Sequence, residues 1–371
     1  MAIRPKLIMA LAVLCMAVTC AGDRAAAAPP PVGTSAKVLS PSMFPTWQGW
    51  HVCYPFVIAD SSAGGYRMYY SGAGSCQNND SLSDQWMTGS VTSPDTTTWT
   101  RPDNYEPILL PRKLYEGDLI DPNDMSAQFD SMFAIGACVI RESSSSYKMW
   151  YTGWNGDTEG AGVVSRINFR IGYATSSNGT SWQKQPGSAG GGAILGLGAA
   201  GQSDAKGVGQ PHVIKEGSNY RMWYEGFDGT YWRIFYATST NGTTWTKQGV
   251  ALNRGSAGSL DELGVRNPVV DVRNGQYEMW YQGQSAAAHN YHVLRATSPD
   301  GLTWTKVTTE VTLHPDDAVD GSEMIHVDSV IVNPADNSAQ VFFAKHNTTS
   351  EARTYATIQK KYYNIYTEVI P

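Results

Sequence analysis

One residue, Glu225, puts a carboxylate where the chain's own repeats have none. Four stretches share one pattern: YRMYYSG from Tyr66, YKMWYTG from Tyr147, YRMWYEG from Tyr220 and YEMWYQG from Tyr277. The slot before the closing glycine reads Ser71, Thr152, Glu225 and Gln282. A carboxyl group where a strand end enters a loop is partly desolvated, which raises its pKa toward the range of a general acid. Glu225 is therefore a catalytic candidate. The plainer reading is a solvated strand end, or an ion pair with Arg233.

Other residues that could do chemistry precede or open the same segments. Asp130 and Asp204 stand just ahead of the second and third units and are the further catalytic candidates; Asp261 and Glu262 precede the fourth. Glu323 and Asp328 fall in the fifth, with Asp328 inside its opening strand. If the units close into a ring, these acids are expected on or near the rim of a shared funnel, with Asp328 nearest the axis. Arg266 and Asn267, in "VRNPVV", put a charge in an innermost strand, where it must face the channel or be paired. They are substrate-contact candidates, with a structural ion pair as the alternative for Arg266. Gln210 occupies the matching place in "VGQPHVIK". His51, His212 and His326 share first-strand regions; converging imidazoles there would hold a metal or a water, or simply be satisfied core histidines. Trp50, Trp154 and Phe227 sit at loop starts, where a ring face can stack on a sugar or pack the rim.

The elements that must position these side chains are strands. A second unit follows each of the last three copies, as IGYATSSNGTSWQK, IFYATSTNGTTWTK and VLRATSPDGLTWTK, and GSVTSPDTTTWTR supplies the first. A fifth, worn copy is visible in QVFFAKH and RTYATIQKK. Each unit divides into a first strand such as NPVVDVRN, a second (QYEMWYQG), a third (HVLRATS) and a fourth (LTWTK). Asn-Gly and Asp-Gly between β-rich runs signal hairpins whose two central residues have positive φ. A four-stranded antiparallel meander repeated five times predicts an all-β, five-bladed propeller over residues 47–371, because a lone meander cannot bury both faces. The shared Tyr, Met and Trp positions, including Trp150, Trp223 and Trp280, then read as packing between blades. The sequons at Asn178, Asn241 and Asn347 carry no reading of glycosylation, two of them being the NGT of blade turns.

Composition narrows the function. Net charge is −6, 16% of residues are charged and no Lys/Arg run occurs, which excludes nucleic acid as a partner. Arg4, Lys6 and the short apolar run Leu7–Val18 predict a signal peptide over residues 1–28, followed by a linker over 29–46 that contains PPPV. An exported, monomeric protein with no membrane contact after signal removal is expected. Cys53, Cys76 and Cys138 would remain, and spacing does not choose a pair among them.

At this point the chain resembles the five-bladed propellers of glycoside hydrolase families 32, 43, 62, 68 and 130, over the stretch from about Trp47 to the end. The resemblance implies a funnel that binds carbohydrate and two carboxyl groups that cleave it, one attacking or activating water, the other protonating the leaving oxygen. It implies no required cofactor, and at most a structural calcium, for which His326 is the candidate ligand. The usual fingerprints depart here: Tyr54 fills the slot before Pro55, "VGQPH" lacks a glutamate, Arg266-Asn267-Pro268 stands where family 32 has Arg-Asp-Pro, and "LIDPND" lies too far from its second strand.

Two functions follow. The first is a secreted glycosidase acting on furanosides or related polysaccharides, with Glu225, Asp130 and Asp204 as its acids. The second is a binding propeller that kept the scaffold and lost its acids, and a lyase or transferase is a third. A hydrolase requires two carboxyl groups facing one pocket, about 5–5.5 Å apart for retention or about 6.5–9.5 Å for inversion.

Overall fold

A computed structural model describes residues 35–40, 51–73, 86–101, 106–111, 128–155, 168–286, 291–307, 311, 313, 325–333, 335–347 and 362–370. Apart from two 3-10 turns, its elements are all strands. β1 (Ala36–Leu39) stands apart from those that follow it. The first group is β2 (His51–Asp60), β3 (Gly65–Ala73) and β4 (Trp86–Ser93); the second is β5 (Phe133–Ser143), β6 (Ser146–Trp154), β7 (Arg170–Ser176) and β8 (Gln183–Gln185). The third is β9 (Gly207–Glu216), β10 (Asn219–Phe227), β11 (Trp232–Ser239) and β12 (Thr246–Leu252); the fourth is β13 (Gly264–Arg273), β14 (Gln276–Gln284), β15 (Tyr291–Ser298) and β16 (Thr305–Val307). The fifth is β17 (Ile325–Val332), β18 (Ala339–Asn347) and β19 (Tyr362–Ile370), and β1 pairs antiparallel with β19 as its outer strand. Of the worn fifth copy, QVFFAKH falls in β18, whereas RTYATIQKK lies outside the described residues and the next described strand is β19. Among the described residues, no helix is long and apolar enough to cross a membrane.

The five opening strands contact one another in a cycle: β2 with β5, β5 with β9, β9 with β13, β13 with β17, and β17 with β2. Five apolar seams follow the same cycle. Tyr69 packs with Tyr147 and Trp182, Trp150 with Tyr220 and Phe235, Trp223 with Met279 and Leu294, and Trp280 with Val327 and Phe343. The fifth joins last to first through Phe342, Ile365, Met68 and Val91.

The repeated motif explains how three of the seams are made. Its aromatic at the fourth position reaches into the next group's turn. Trp150 Nε1 donates to the Gly242 carbonyl at 2.7 Å, and Trp245 Nε1 donates to the same oxygen at 3.1 Å. Trp223 and Trp304 share the Gly301 oxygen at 3.1 Å each, and the Tyr69 hydroxyl and Trp182 share that of Gly179. Gly242 has φ +79, and a Cβ there would lie 3.0 Å from the Trp150 ring; the turn needs glycine for conformation and for approach. Burying each such aromatic contributes about 3 kcal/mol.

Two sequence expectations change. The Asn-Gly turns before Trp182 and Trp245 are not tight hairpins, since only the glycine has positive φ. Asn178 and Asn241 instead accept from the two N–H groups that follow the glycine, an Asx-type cap over a longer loop. Only Asn274-Gly275 behaves as expected, with φ 52 and φ 76. In the second, third and fourth groups the fourth strands begin after their tryptophans rather than at them. Cys53 and Cys138 are buried on separate strands and are not bridged to each other; Cys76 lies outside the described residues.

Asp271 on β13 is one of several exceptions to this satisfied interior. Both its carboxylate oxygens are buried without a hydrogen bond. Burial, reinforced by Glu278, pushes its pKa to about 7 against the opposing pull of Arg273 and Arg295. Because the folded value is raised, the group's contribution to stability is full below its unfolded value and lost as pH rises to about 7. Asp271→Asn should therefore raise Tm by several degrees at pH 8 and change it little at pH 4. Differential scanning calorimetry at the two pH values checks this; an equal or lower Tm at pH 8 would contradict it.

Candidate functional site

The slot before the motif glycine is a joint between neighbouring groups. Ser71 Oγ accepts from the Gly136 N–H at 3.0 Å, and Thr152 Oγ1 from the Gln210 N–H at 2.7 Å. Gln282 Nε2 donates to the Ile325 carbonyl at 2.8 Å. Glu225 makes the same joint between the third and fourth groups, accepting from the Asn267 N–H at 3.4 Å. It is also gripped by Arg266, whose Nε and Nη2 donate to its two oxygens at 3.0 and 2.9 Å. The guanidinium lies 4.0 Å from the Trp232 ring centroid, and Glu225 is 1% exposed. Arg233 pairs instead with Asp228. The position expected of a half-solvated general acid is thus a closed, bidentate ion pair. Its partner is the other charge that had been singled out.

Asp130 and Asp204 are not on a funnel rim. Each is buried behind its own unit, where a motif tyrosine and the lysine after the fourth-strand tryptophan meet it. The Tyr151 hydroxyl donates to Asp130 at 2.8 Å and Lys184 Nζ lies at 2.5 Å. For Asp204 the pair is Tyr224 at 3.3 Å and Lys247 at 2.7 Å. Asp261, with Tyr281 and Lys306, repeats the arrangement. Three copies of one buried triad, each tying a connecting segment to its strands, assign these carboxylates to structure. The motif glycine leaves them room: a Cβ on Gly226 would sit 2.5 Å from Phe235 and 2.7 Å from Asp204.

What the opening strands do bring together is a ring of bulge residues. Tyr54, Gly136, Gln210 and Asn267 have φ of 52, 60, 47 and 48, and the pairing register slips at each of these bulges and at Asp328. Three of them precede prolines. All five line one central hollow with a volume of ≈ 20 Å³, room for about one water. Non-glycine residues at positive φ are strained and persist where the surroundings enforce them, commonly at functional sites.

Among the described residues Asp328 is the carboxylate of this hollow. Burial raises its pKa, opposed by His326, whose Nδ1 lies 2.8 and 2.7 Å from its two oxygens. Tyr54 stacks on His326 with centroids 4.8 Å apart. Asn267 Oδ1 is buried with no hydrogen-bond partner among the described residues, an acceptor facing the place where a hydroxyl could bond. His212 lines the hollow, but burial holds its pKa down at about 4 against a hydrogen bond with the Val270 backbone, so it is a neutral core histidine. His51 stacks on Trp86, 5.2 Å and 9° apart. Trp154 is buried among Met132, Phe169 and Trp232, with Phe133 and Phe227 against them; it packs the rim. Trp50 and Glu323 lie outside the described residues. So does the "LIDPND" segment. No cluster of three metal-ligating side chains occurs among the described residues.

Tyr54 entered the sequence reading only as a missing acid, although a residue before proline in three opening strands was a signal for the ring. Asp328 was read as near the axis, and the structure places it there.

No family model matches the chain. Two uncharacterized proteins of Mycobacterium tuberculosis, from strains CDC 1551 / Oshkosh and ATCC 25618 / H37Rv, are 31% identical over 182 residues, 47% of this chain and 54% of each relative. The chain thus spans about half the length of the curated relatives it matches. Among solved structures, a glycosyl hydrolase from Bacteroides ovatus superposes with a TM-score of 0.58 at 16% identity, covering 91% of this chain and 92% of that one. Sucrose-6-phosphate hydrolase from Lactobacillus gasseri gives 0.58 at 14% identity over 90% and 60% of the two chains. An N-acetylgalactosamine deacetylase from F. plautii, in complex with blood group B trisaccharide, gives 0.56 at 15% over 90% and 94%. The neighbours are in the main glycoside hydrolases of the propeller type, and the chain shares their fold.

The ion pair can be tested directly. Arg266→Met strands the buried Glu225 charge and should cost about 3–5 kcal/mol, whereas Glu225→Gln combined with Arg266→Met should recover more than half of that loss. Urea unfolding of the two variants measures it. A single-variant loss under about 1 kcal/mol would mean that the pair is solvated.

Proposed function

We propose that this protein is an exported, carbohydrate-active enzyme, a five-bladed propeller that hydrolyses glycosidic bonds at the axial ring of Tyr54, Gln210, Asn267 and Asp328. The observation that carries the reading is the convergence of one bulge from each opening strand on a single hollow, at the place where the fold's hydrolases hold sugar. The hollow is too small for a sugar ring, so it serves as the floor of the site, with the substrate above it. The amide of Asn267 offers an unmatched acceptor, and Gln210 and Tyr54 offer polar groups at equivalent positions. Such groups fix a sugar by its hydroxyls.

Asp328 is the proton donor to the leaving oxygen in this reading, and the second carboxyl group that hydrolysis requires to activate water is not among the described residues of the hollow. Burial favours its protonated form, and His326 fixes its orientation. Glu225, Asp130 and Asp204 are left out, since each lies outside the hollow and is paired with a permanently charged Arg or Lys. A substrate with a neutral, hydroxyl-rich ring suits this floor, because the Arg266 charge is matched by Glu225.

A second reading has its own support. Tyr54, Gly136, Gln210 and Asn267 place no acid at four of the five bulges, and a ring of amides and a phenol is apt for binding without cleavage. One experiment separates the two. Released sugar would be measured on arabinan, fructan, xylan and mannan with wild type and Asp328→Asn, alongside affinity for short oligosaccharides of the same glycans. Hydrolysis is expected in wild type and to fall at least about 100-fold in the variant, the scale of a lost general acid, while oligosaccharide affinity stays. Binding without turnover in the wild type would favour the second reading.

A further inference from the structure

Away from the axis, the side of the ring carries one departure from the repeat that the site does not use. Asp204 follows Trp182 by twenty-two positions, whereas Asp261 follows Trp245 by sixteen. The added residues lie in "GSAGGGAILGLG", which leaves the second group and enters the third. This segment is folded rather than loose: the Gly187 N–H donates to the Gly192 carbonyl at 2.8 Å, Ala189 to Ala193 at 2.9 Å, and Ile171 to Leu195 at 3.1 Å. Lys247 Nζ anchors it by donating to the Gly196 carbonyl at 2.7 Å. Between the segment and the third group runs an open groove of ≈ 490 Å³, lined by Arg170, Ile194, Leu195, Leu197, Trp245 and Lys247 among others. It shares no lining residue with the axial hollow.

The chemistry of this groove is that of a sugar platform. Trp245 lines the groove half-buried, with its N–H spent on the Gly242 carbonyl, so the ring surface it offers is apolar, the kind against which the C–H face of a sugar packs. Leu197 extends this apolar wall, with Ile194 and Leu195 nearly buried beneath it. Lys247 is charge-matched by Asp204 at 2.7 Å, and the Arg170 guanidinium brings several N–H donors to the same wall. The volume falls in the range of small-ligand sites. Because the walls are held by backbone hydrogen bonds, little ordering cost opposes binding.

We propose that this lateral groove is a second carbohydrate-binding site, which holds a neutral stretch of the polysaccharide whose cleavage occurs at the axis. It rests on the reading of the axis as a glycan-hydrolysing site, and it adds a contact that keeps the enzyme on a long chain between cleavages.

The test uses the full-length protein and two substitutions that work differently. Gly190→Leu fills the groove without removing a contact, since a Cβ there meets only Arg170 Nε, at 3.9 Å. Leu197→Gln makes part of the apolar wall polar and leaves the Trp245–Gly242 hydrogen bond in place. Retardation in native gels containing arabinan, fructan, xylan or mannan reads the long-chain contact, and turnover of a short soluble oligosaccharide reads the axis. Both variants should bind the retarding polysaccharide about tenfold more weakly, a loss of about 1.4 kcal/mol, with unchanged oligosaccharide turnover. Asp328→Asn should do the reverse, losing turnover and keeping retardation. If both groove variants are retarded like wild type while the wild type hydrolyses, the groove proposal is overturned and the axial reading stands. A wild type that neither hydrolyses nor is retarded overturns both.

Discussion

Two aromatic donors sharing one turn carbonyl is the contact on which the rest of this structure depends. A carbonyl oxygen has two lone pairs. In the second, third and fourth groups one pair is used by the group's own tryptophan and the other by an aromatic from the group before it. The turn is thereby fixed to two units at once, and each unit is oriented by its neighbour rather than by its own strands. An isolated meander could form its ladder, but it would leave its glycine carbonyl half-used and its aromatic without a partner. Orientation passes along these four groups, and apolar packing at the two remaining seams closes the cycle that brings the opening strands to the axis.

Much of this was legible. The shared Tyr, Met and Trp positions were read as packing between units, and the buried aromatics bear that out. What was read less well follows from a rule applied unevenly. Positions that agree between copies serve structure; Asp130, Asp204 and Asp261 agree with one another, as do the lysines that meet them, so they belonged with the packing residues. Their carboxyl groups drew attention by chemical type alone. Glu225 and Arg266 were rightly seen as exceptions, but exceptions in adjacent copies that carry opposite charges identify each other. A lone acid breaking one repeat and a lone base breaking the next mark a cross-unit pair before any coordinates exist.

The axis was harder to read because its defining property is backbone conformation. Nothing in residue type announces that Tyr54, Gln210 and Asn267 have positive φ. A proline following each is a hint in hindsight, although the residue before proline ordinarily favours extended backbone. The bulge turns each of these residues out of the strand's alternation. Side chains that a period-two pattern would assign to one face or the other instead meet at the centre. A site made this way escapes any reading that relies on alternation.

The pairing of β1 with β19 has a bearing on how the protein reaches its native state. The earliest described strand and the latest are neighbours in the last group, so the seam between them has almost the greatest separation along the chain that a contact here can have. Loop closure over such a span is entropically unfavourable and slow. The other seams can assemble in order as the chain becomes available, while this one must wait for both ends. The seam that closes the cycle, through β17 and β2, spans nearly as much chain, and until it forms the opening strands are a curved open array not yet gathered. Competence at the axis is therefore acquired late and all at once, and mechanical or thermal opening would be expected to begin where assembly finished.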